Sequence, residues 1–517
     1  DAFIWDPKEN IKQGGDYTLT MKKTNTGFHA VLNHDESNEI IMYDNYCEKL
    51  TVLDEEKIYV GFAAARGCNV TITDISFTTT DPATDPAAIP EPKETIDPSY
   101  RVTSPTTFGS SDYKLVFESN ADGKVIIKKG SQTVEEADVL AGEALDYNTT
   151  LSTGQNQFEV TFTPTEGFET ADGAVLSTYE TKTQNFTVTY RDISTSTNTI
   201  YVTPDGKSSG KGTKASPLDI YTAVAYAKAG QTIVLKDGTY HMTGKLKVAR
   251  GVDGTEAENI VMMSEKGGRA ILDFAGCRGN FEMWGSYWHV YGIDVCNTDG
   301  NIKGIQVAGH HNIFELVNTY KNGDTGLQVS GTSNETKDKW PSYNLILNCT
   351  SYDNCDPGFN NADGFAAKLT CGEGNVFRGC IAYNNLDDGW DLYSKVESGP
   401  IGVVTIENCL AYRNGTILDG SASGDGNGFK LGGDGIAVPH ILKNCISYEN
   451  DANGITSNSD PAIVVINNTS VGNKGTNYSL YGKGSTPLTF VAENNISYKG
   501  SSTDSIGLAS LYNATNY

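Results

Sequence analysis

Three short segments combine glycine with acidic, amide or basic residues in a way that could do chemistry. They are Asp-Gly at 363–364, Asp-Asp-Gly-Trp-Asp at 387–391 and Asn-Gly-Phe-Lys at 427–430. Carboxylates brought close together repel one another unless a proton or a cation lies between them. Carboxylate oxygens are the ligands that calcium prefers in proteins. Any one Asp-Gly pair is also typical of a simple turn, but the acidic triplet exceeds what a turn requires.

A repeated six-residue unit indicates how these segments align. It reads CTSYDN, CIAYNN, CLAYRN and CISYEN, beginning at Cys349, Cys380, Cys409 and Cys445. Its irregular spacing is typical of a β-solenoid, in which coils keep their strands and vary their loops. We therefore predict that each unit is one coil. The cysteines then form one column of reduced, buried residues, and the final asparagines form another.

The same coils align a residue-Gly-apolar pattern, which brings the acidic residues together. The residue before Gly gives a column of Asp363 and Asp388, and the residue two after Gly gives Asp391 and Lys430. With Asp387 alongside, four carboxylates cluster and predict a calcium site. No Cys or His lies in these columns, which disfavours zinc, copper and iron.

Lys430 is predicted to stand one coil from Asp391, beside the cation. A neighbouring positive charge lowers the pKa of an amine, so Lys430 could act as a general base. The chemistry that fits is β-elimination from a uronic acid, in which the base removes the proton on C5 and the oxygen on C4 leaves. A simple ion pair between Lys430 and Asp391 is the structural alternative, and the two are compatible.

Three motifs then resemble a known family. The segments NADGFAAK, NNLDDGWDLY and GNGFKLGG, at 361–368, 384–393 and 426–433, resemble polysaccharide lyase family nine, whose members are pectate lyase-like right-handed parallel β-helix enzymes. The resemblance implies calcium as the cofactor and an acidic pectic polysaccharide as the partner, most commonly homogalacturonan. By it, Lys430 corresponds to the catalytic base. The family's calcium ligands correspond to Asp363, Asp387, Asp388 and Asp391.

Other functions stay open at this point. A rhamnogalacturonan lyase on the same scaffold and a non-catalytic glycan-binding β-helix are both compatible with the sequence. A hydrolytic polygalacturonase fits poorly, because Asp299 lies several coils away from Asp387. Three basic residues are predicted contacts for substrate carboxylates, or else solvated surface charges: Lys368, Lys395 and Arg413.

The whole chain is predicted to be all-β, with a parallel β-helix preceded by two β-sandwich-like modules. Residues 1–80 are predicted to form a jelly-roll-like sandwich that could be truncated, 81–98 a Pro-rich linker, 99–191 an immunoglobulin-like sandwich and 199–517 the β-helix lyase domain. Alternating patterns predict strands at 58–62 and 70–77, among other segments. An amphipathic helix at 217–228 is expected to cap the solenoid.

Composition excludes some functions. The net charge of -25 over 517 residues is unlike that of a protein that binds nucleic acid. No apolar run is long enough to span a membrane. We expect a monomeric bacterial protein that is secreted or held at the cell surface, with its signal peptide absent from this chain.

Overall fold

The computed structural model describes residues 16–24, 27–34, 37–45, 71–79, 81, 84, 93–265, 268–508 and 515–517. The chain divides into two compact units. One comprises residues 1–97 and 166–178, and the other comprises residues 98–165 and 179–517. No helix among the described residues is long and apolar enough to cross a membrane.

The first unit contains an antiparallel sheet and a short parallel pair of strands. The sheet consists of β1 (Tyr17–Thr24), β2 (Gly27–His34) and β3 (Ser37–Asn45), and the pair consists of β4 (Thr95–Ile96) and β12 (Val175–Leu176). The predicted strand at 58–62 lies outside the described residues.

The predicted strand at 70–77 is wrong for the residues that are described there. Residues 71–79 form no strand, and Ile72, Ile75 and Phe77 are exposed. Sequence alternation yields a strand only where the apolar face is covered and the backbone finds a partner.

The second unit begins with a sandwich of two antiparallel-rich sheets. One contains β5 (Tyr100–Val102), β7 (Asp112–Ser119) and β10 (Ala144–Thr150); the other contains β6 (Thr107–Phe108), β8 (Gly123–Lys129), β9 (Gln132–Val139), β11 (Gly154–Pro164) and β13 (Lys182–Tyr190). Alternate residues of β11, such as Phe158 and Phe162, are buried. The predicted sandwich before the β-helix is therefore confirmed.

The rest of this unit is a parallel β-helix with three long sheets. Sheet I contains β14 (Thr199–Val202), β15 (Thr232–Leu235), β18 (Ile260–Ser264), β21 (Trp288–Tyr291), β24 (Ile313–Glu315), β27 (Leu345–Leu347), β30 (Asn375–Arg378), β33 (Val404–Glu407), β36 (Ile441–Lys443), β39 (Val464–Ile466) and β42 (Val491–Glu493). Sheet II contains β16 (Gly238–His241), β19 (Ala270–Asp273), β22 (Ile293–Cys296), β25 (Asn318–Tyr320), β28 (Thr350–Tyr352), β31 (Ile381–Tyr383), β34 (Leu410–Tyr412), β37 (Ile446–Tyr448), β40 (Thr469–Val471) and β43 (Ile496–Tyr498). Sheet III contains β17 (Leu246–Val248), β20 (Phe281–Met283), β23 (Ile305–Val307), β26 (Leu327–Val329), β29 (Phe365–Ala367), β32 (Trp390–Asp391), β35 (Phe429–Lys430), β38 (Ile455–Thr456), β41 (Tyr478–Leu480) and β44 (Ser505–Ile506).

The predicted repeat is one coil of this helix. Ile381 of β31 pairs with Thr350 of the preceding coil and Leu410 of the following one. Between sheets I and II the chain turns at the residue before each repeat, where Asn348 and Asn408 have φ values of 52 and 55°. Asparagine tolerates this left-handed conformation better than most residues, which accounts for its recurrence at this turn.

Both predicted columns are present inside the coils. Each asparagine side chain donates to the next, as in the pairs Asn354 to Asn385 at 2.8 Å and Asn385 to Asn414 at 3.0 Å. The four repeat cysteines, Cys349, Cys380, Cys409 and Cys445, are buried and free of disulfides. Their role as core residues is the one that the sequence predicts.

The capping helix is shorter than the predicted 217–228. Helix α1 spans Ile220–Ala225 and begins at Asp219, whose side chain accepts a hydrogen bond from the backbone N–H of Thr222. Ala223 and Val224 are buried against the first coils. The helix ends where Tyr226 leaves helical backbone angles.

Candidate metal centre and active site

The site is built on three consecutive strands of sheet III. Phe365, Trp390 and Phe429 point into the core, where their rings stack with centroids 5.0 and 4.8 Å apart. Because side chains alternate along a strand, the next residue of each strand faces outward. The outward column pairs Asp391 with Lys430 in register, as the sequence predicts. Core packing thus fixes the spacing of these two functional groups.

The turns that precede these strands supply the other carboxylates. The backbone N–H of Gly364 donates to the carbonyl of Asp388, so the two turns stack one coil apart. Carboxylate oxygens of Asp363, Asp388 and Asp391 lie within 4.8 Å of one another, and all three side chains are buried. Asp387 is also buried but is not part of that closest group.

Two lysines enter the carboxylate cluster. The Nζ of Lys430 lies 2.9 Å from Oδ2 of Asp388 and 3.7 Å from Oδ2 of Asp391. The Nζ of Lys368 lies 2.7 Å from Oδ2 of Asp363 and 2.9 Å from Oδ2 of Asp391. Lys368 was expected to face the substrate, but the structure turns its ammonium group towards the acids.

Burial and charge shift the pKa of each carboxyl in this cluster. Burial raises the pKa of Asp363 to about 7, against the opposing effect of Lys368. Burial and the charge of Asp388 raise the pKa of Asp387 to about 9. For Asp391 burial also acts upward, but Lys368 and other positive charge outweigh it, so the pKa is lowered. The carboxylate nearest both lysines is therefore the one most firmly ionised.

The charges of the protein alone raise the pKa of Lys430. Burial alone lowers it, but Asp391 and Asp388 together outweigh burial. The prediction rested on a cation beside the amine, whereas the protein's own neighbours of Lys430 are negative. The direction of the pKa shift depends on the sum of all charges around the amine, and the strand pattern in the sequence does not reveal that sum.

The residues present fit a hard divalent cation. Oδ1 of Asp363, Oδ1 of Asp387 and Oδ1 of Asp391 are buried and have no hydrogen-bond partner among the described residues. Leaving a buried ionised oxygen unpaired is costly, so such atoms signal a missing ligand. Oxygen ligands of this kind suit calcium better than a softer metal.

Sequence reasoning missed several residues that hold these acids. Asp356 accepts hydrogen bonds from the backbone N–H groups of Gly358, Asn361 and Ala362, which shapes the turn leading into Asp363. The Asp-Pro-Gly run at 356–358 is a turn signal that could have revealed this role. Other supports are the amide of Asn427, which donates to Oδ1 of Asp388 at 2.8 Å, and the hydroxyl of Thr325, which donates to Oδ2 of Asp363 at 3.1 Å.

Long loops flank the site on one side of sheet III. In loop 331–343, Lys337 donates to the carbonyl of Pro400 at 3.2 Å, and Lys339 pairs with Glu118 of the sandwich. Loop 393–403 is linked in turn to the loop that follows β35, because the hydroxyl of Tyr393 donates a hydrogen bond to Asp434 at 2.8 Å. Neighbouring loops are thus tied together along the face that carries Lys430.

The other predicted substrate contacts lie away from the cluster. Lys395 lies in loop 393–403, is half exposed and sits 3.7 Å from Glu397. Arg413 follows β34, pairs with Glu449 at 3.0 Å, and its side chain is 57% exposed. Neither residue is brought to the carboxylates.

Comparison with known families identifies the family to which the chain belongs. The family described as "Pel9A-like, right handed beta helix region" matches residues 200–495. The chain belongs to this family. The resemblance to polysaccharide lyase family nine that the three motifs carry is therefore confirmed. Residues 101–189 match the "Pectate disaccharide-lyase central Ig-like domain" and residues 4–82 match the "Pectate disaccharide-lyase N-terminal domain".

Relatives of this Pel9A-like chain carry related names. It is 41% identical to "Pectate lyase L" of Thermoclostridium stercorarium over 95% of this chain and 39% of that one. It is 33% identical to "Pectate disaccharide-lyase" of Dickeya chrysanthemi over 92% of this chain and 59% of that one. The chain thus spans less than two thirds of the length of either relative. The solved structure of "pectate lyase Pel9A" aligns with a TM-score of 0.51 and 33% identity, over 59% of this chain and 77% of that one.

Proposed function

We propose that this chain is a pectate lyase that cleaves acidic pectin by β-elimination. The observation that carries the proposal is the contact of Lys430 with Asp388 and Asp391 on the outward face of sheet III. The pectate lyase names of its relatives support the same substrate class. Homogalacturonan without methyl esters is the proposed polymer.

In this proposal Lys430 is the general base. Its neutral amine takes the proton from C5 of a uronic acid, and the electrons of that bond form a double bond between C4 and C5. The bond from C4 to the glycosidic oxygen breaks, and that oxygen leaves with a proton from solvent. No water is consumed overall, and one product carries an unsaturated sugar.

The surroundings of Lys430 support this role once the carboxylates are neutralised. Carboxylates are what raise the pKa of Lys430, whereas burial acts in the opposite direction. Neutralising the carboxylates leaves burial in control, which favours the neutral amine that a base needs.

We propose that calcium is the cofactor, held by Asp363, Asp387, Asp388 and Asp391. When bound there, it would supply positive charge that neutralises the substrate carboxylate and makes the proton on C5 more acidic. The unpaired Oδ1 atoms of Asp363, Asp387 and Asp391 support this assignment. Lys395 and Arg413 remain proposed contacts for carboxylates of neighbouring sugars. Because a pectic polymer is extracellular, we propose that the protein acts outside the cell.

The test measures the ultraviolet absorbance of the unsaturated product formed from polygalacturonate. Parent, Lys430→Ala and Lys443→Ala proteins are assayed with calcium and with a chelator. Lys443 is the matched control, because it lies on sheet I and pairs with Glu407 at 2.7 Å, away from the acids. We expect absorbance from the parent and from Lys443→Ala in calcium only, and a loss of roughly 10²–10⁴-fold in Lys430→Ala.

Other outcomes would contradict the proposal in different ways. New reducing ends without absorbance mean hydrolysis. Absorbance that is unchanged in Lys430→Ala removes this residue as the base, and absorbance that persists in chelator removes calcium. Silence of the parent on polygalacturonate, with binding of the polymer retained, supports a glycan-binding β-helix instead.

A further inference from the structure

Lys368 is a second, largely buried lysine at the candidate metal centre. The proposed reaction gives this lysine no role. It lies on the outward face of sheet III, two residues beyond Ala366, and 13% of its side chain is exposed. Its Nζ bridges Oδ2 of Asp363 and Oδ2 of Asp391, at 2.7 and 2.9 Å. These acids come from neighbouring coils, so one ammonium group joins two coils of the site.

The two oxygens of each bridged carboxylate have different surroundings. Oδ2 of Asp363 and Oδ2 of Asp391 are held by Lys368, whereas Oδ1 of each is buried and finds no hydrogen-bond partner in the part of the chain that the structure describes. A carboxylate has room for several partners, so engagement of one oxygen leaves the other available to a metal. Partners of this kind fix the orientation of metal ligands and tune the site.

The charge of Lys368 also bears on which cation the site prefers. Its ammonium group lies 2.7 and 2.9 Å from carboxylate oxygens of two proposed ligands, so it repels a cation held by the same carboxylates. Coulomb repulsion grows with the charge of the cation, so this ammonium group disfavours a trivalent ion more than a divalent one.

We infer that Lys368 is a positioning residue that orients Asp363 and Asp391 and sets the preference of the site for divalent over trivalent cations. The inference rests on the proposed function only in taking these acids as the metal ligands. Its readout is cation binding, which is independent of pectin cleavage.

The experiment compares calcium and terbium binding to the full chain. Lys368→Met and Lys368→Gln both remove the charge, and Gln keeps a hydrogen-bond donor; Lys368→Arg keeps the charge. Lys303→Met is the matched control, since Lys303 pairs with Asp324 at 3.2 Å and not with Asp363 or Asp391. Calorimetry gives the calcium affinity, terbium luminescence gives the terbium affinity, and circular dichroism confirms folding. Asp391→Asn identifies the signal that belongs to this site.

We expect the ratio of terbium to calcium affinity to rise at least tenfold in Lys368→Met and Lys368→Gln. The ratio should stay near the parent value in Lys368→Arg and Lys303→Met. If only one uncharged variant folds, that variant decides the test. A ratio within threefold of the parent in each folded uncharged variant, or no cation signal that Asp391→Asn removes, would overturn the inference.

The two proposals can fail separately. A shifted ratio in a protein that yields no unsaturated product keeps the role of Lys368 and removes the lyase activity. Normal lyase activity with an unshifted ratio does the reverse.

Discussion

The β-helix contains two sets of buried polar side chains that differ in how far their hydrogen bonds are satisfied. In the asparagine column, Asn414 accepts from Asn385 at 3.0 Å and donates to Asn450 at 3.0 Å. In the carboxylate cluster, Asp363 and Asp391 are also buried, yet each keeps an oxygen with no hydrogen-bond partner among the residues that the structure describes. One set closes its own hydrogen-bond network, and the other leaves carboxylate oxygens open.

The difference separates stability from function. A fully bonded buried network favours one register of the coils, since any slip leaves polar groups unpaired. A partly bonded network costs free energy, and proteins retain such costs mainly at functional sites. Exchanging residues in the first set should therefore damage the fold, whereas exchanging residues in the second should damage activity.

The largest expected effect is on activity, from Asp387→Asn. We expect product formation to fall roughly a thousandfold, because a metal ligand supplies several kcal/mol. Because the pKa of Asp387 is raised to about 9 in the fold, the parent loses stability as pH rises from about 4 to 9. In chelator at pH 8 the variant should be more stable than the parent by at least about 1 kcal/mol.

Urea unfolding at pH 4 and pH 8 checks this prediction. The gain in stability should largely vanish at pH 4, where the carboxyl is protonated in the folded state and about half protonated in the unfolded state. A variant that keeps parental activity would contradict the assignment of Asp387 as a ligand.

The opposite pattern is expected from Asn414→Ala. Removal of this amide leaves the backbone N–H and the side-chain Nδ2 of Asn385 without their acceptor. We expect the free energy of unfolding to fall by about 3 kcal/mol, from more than one unsatisfied buried group. Urea denaturation measures this loss, and the folded fraction should keep its activity per molecule. Asn467→Ala at an exposed turn is the control, with a smaller loss.

His440 is a buried residue whose hydrogen bonding is intermediate between those of the two sets. Its Nδ1 accepts from the backbone N–H of Val404 at 3.1 Å, as Asn375 accepts from the backbone N–H of Asn344 at 3.0 Å. Its Nε2 has no hydrogen-bond partner within the described ranges. Burial lowers the pKa of His440 to about 3, so the unfolded state takes up a proton first as pH falls below about 6.5.

Protonation of this histidine in the unfolded state should therefore lower the free energy of unfolding by about 1.4 kcal/mol for each pH unit below about pH 6. His440→Gln should be less acid-sensitive by that slope between pH 6 and pH 4.5. Equal slopes for parent and variant, measured by urea unfolding, would mean that another group accounts for the acid sensitivity.

The smallest effects are expected at the exposed basic residues. Lys395→Ala should raise KM for polygalacturonate by about threefold with kcat unchanged, as an exposed charge contributes about 1 kcal/mol or less. Arg413→Ala should do less, because Glu449 already pairs with the arginine. A drop in kcat in either variant would show that the acidic cluster does not act alone.

Periodicity explains which features could be predicted. The coils, the two columns and the register of Asp391 against Lys430 follow from repeats that each strand obeys. The position of Lys368 beside the acids could have been predicted, since it stands two residues after Ala366 and thus on the outward face that carries Asp391. The pKa of Lys430 was not, because its direction sums contributions from several coils. The length of α1 depended on its cap at Asp219 rather than on its apolar pattern.

The column of free cysteines can report the local opening of individual coils. Cys349, Cys380, Cys409 and Cys445 each lie in a different coil, and all four are shielded from solvent. A thiol reagent can modify such a residue only when its coil opens, so the order of modification reports the order in which coils separate. The site that contains the acids and Lys430 lies on the coils of three of these thiols. Labelling rates measured with and without calcium would therefore compare the opening of those three coils with that of the fourth, and no engineered probe is needed.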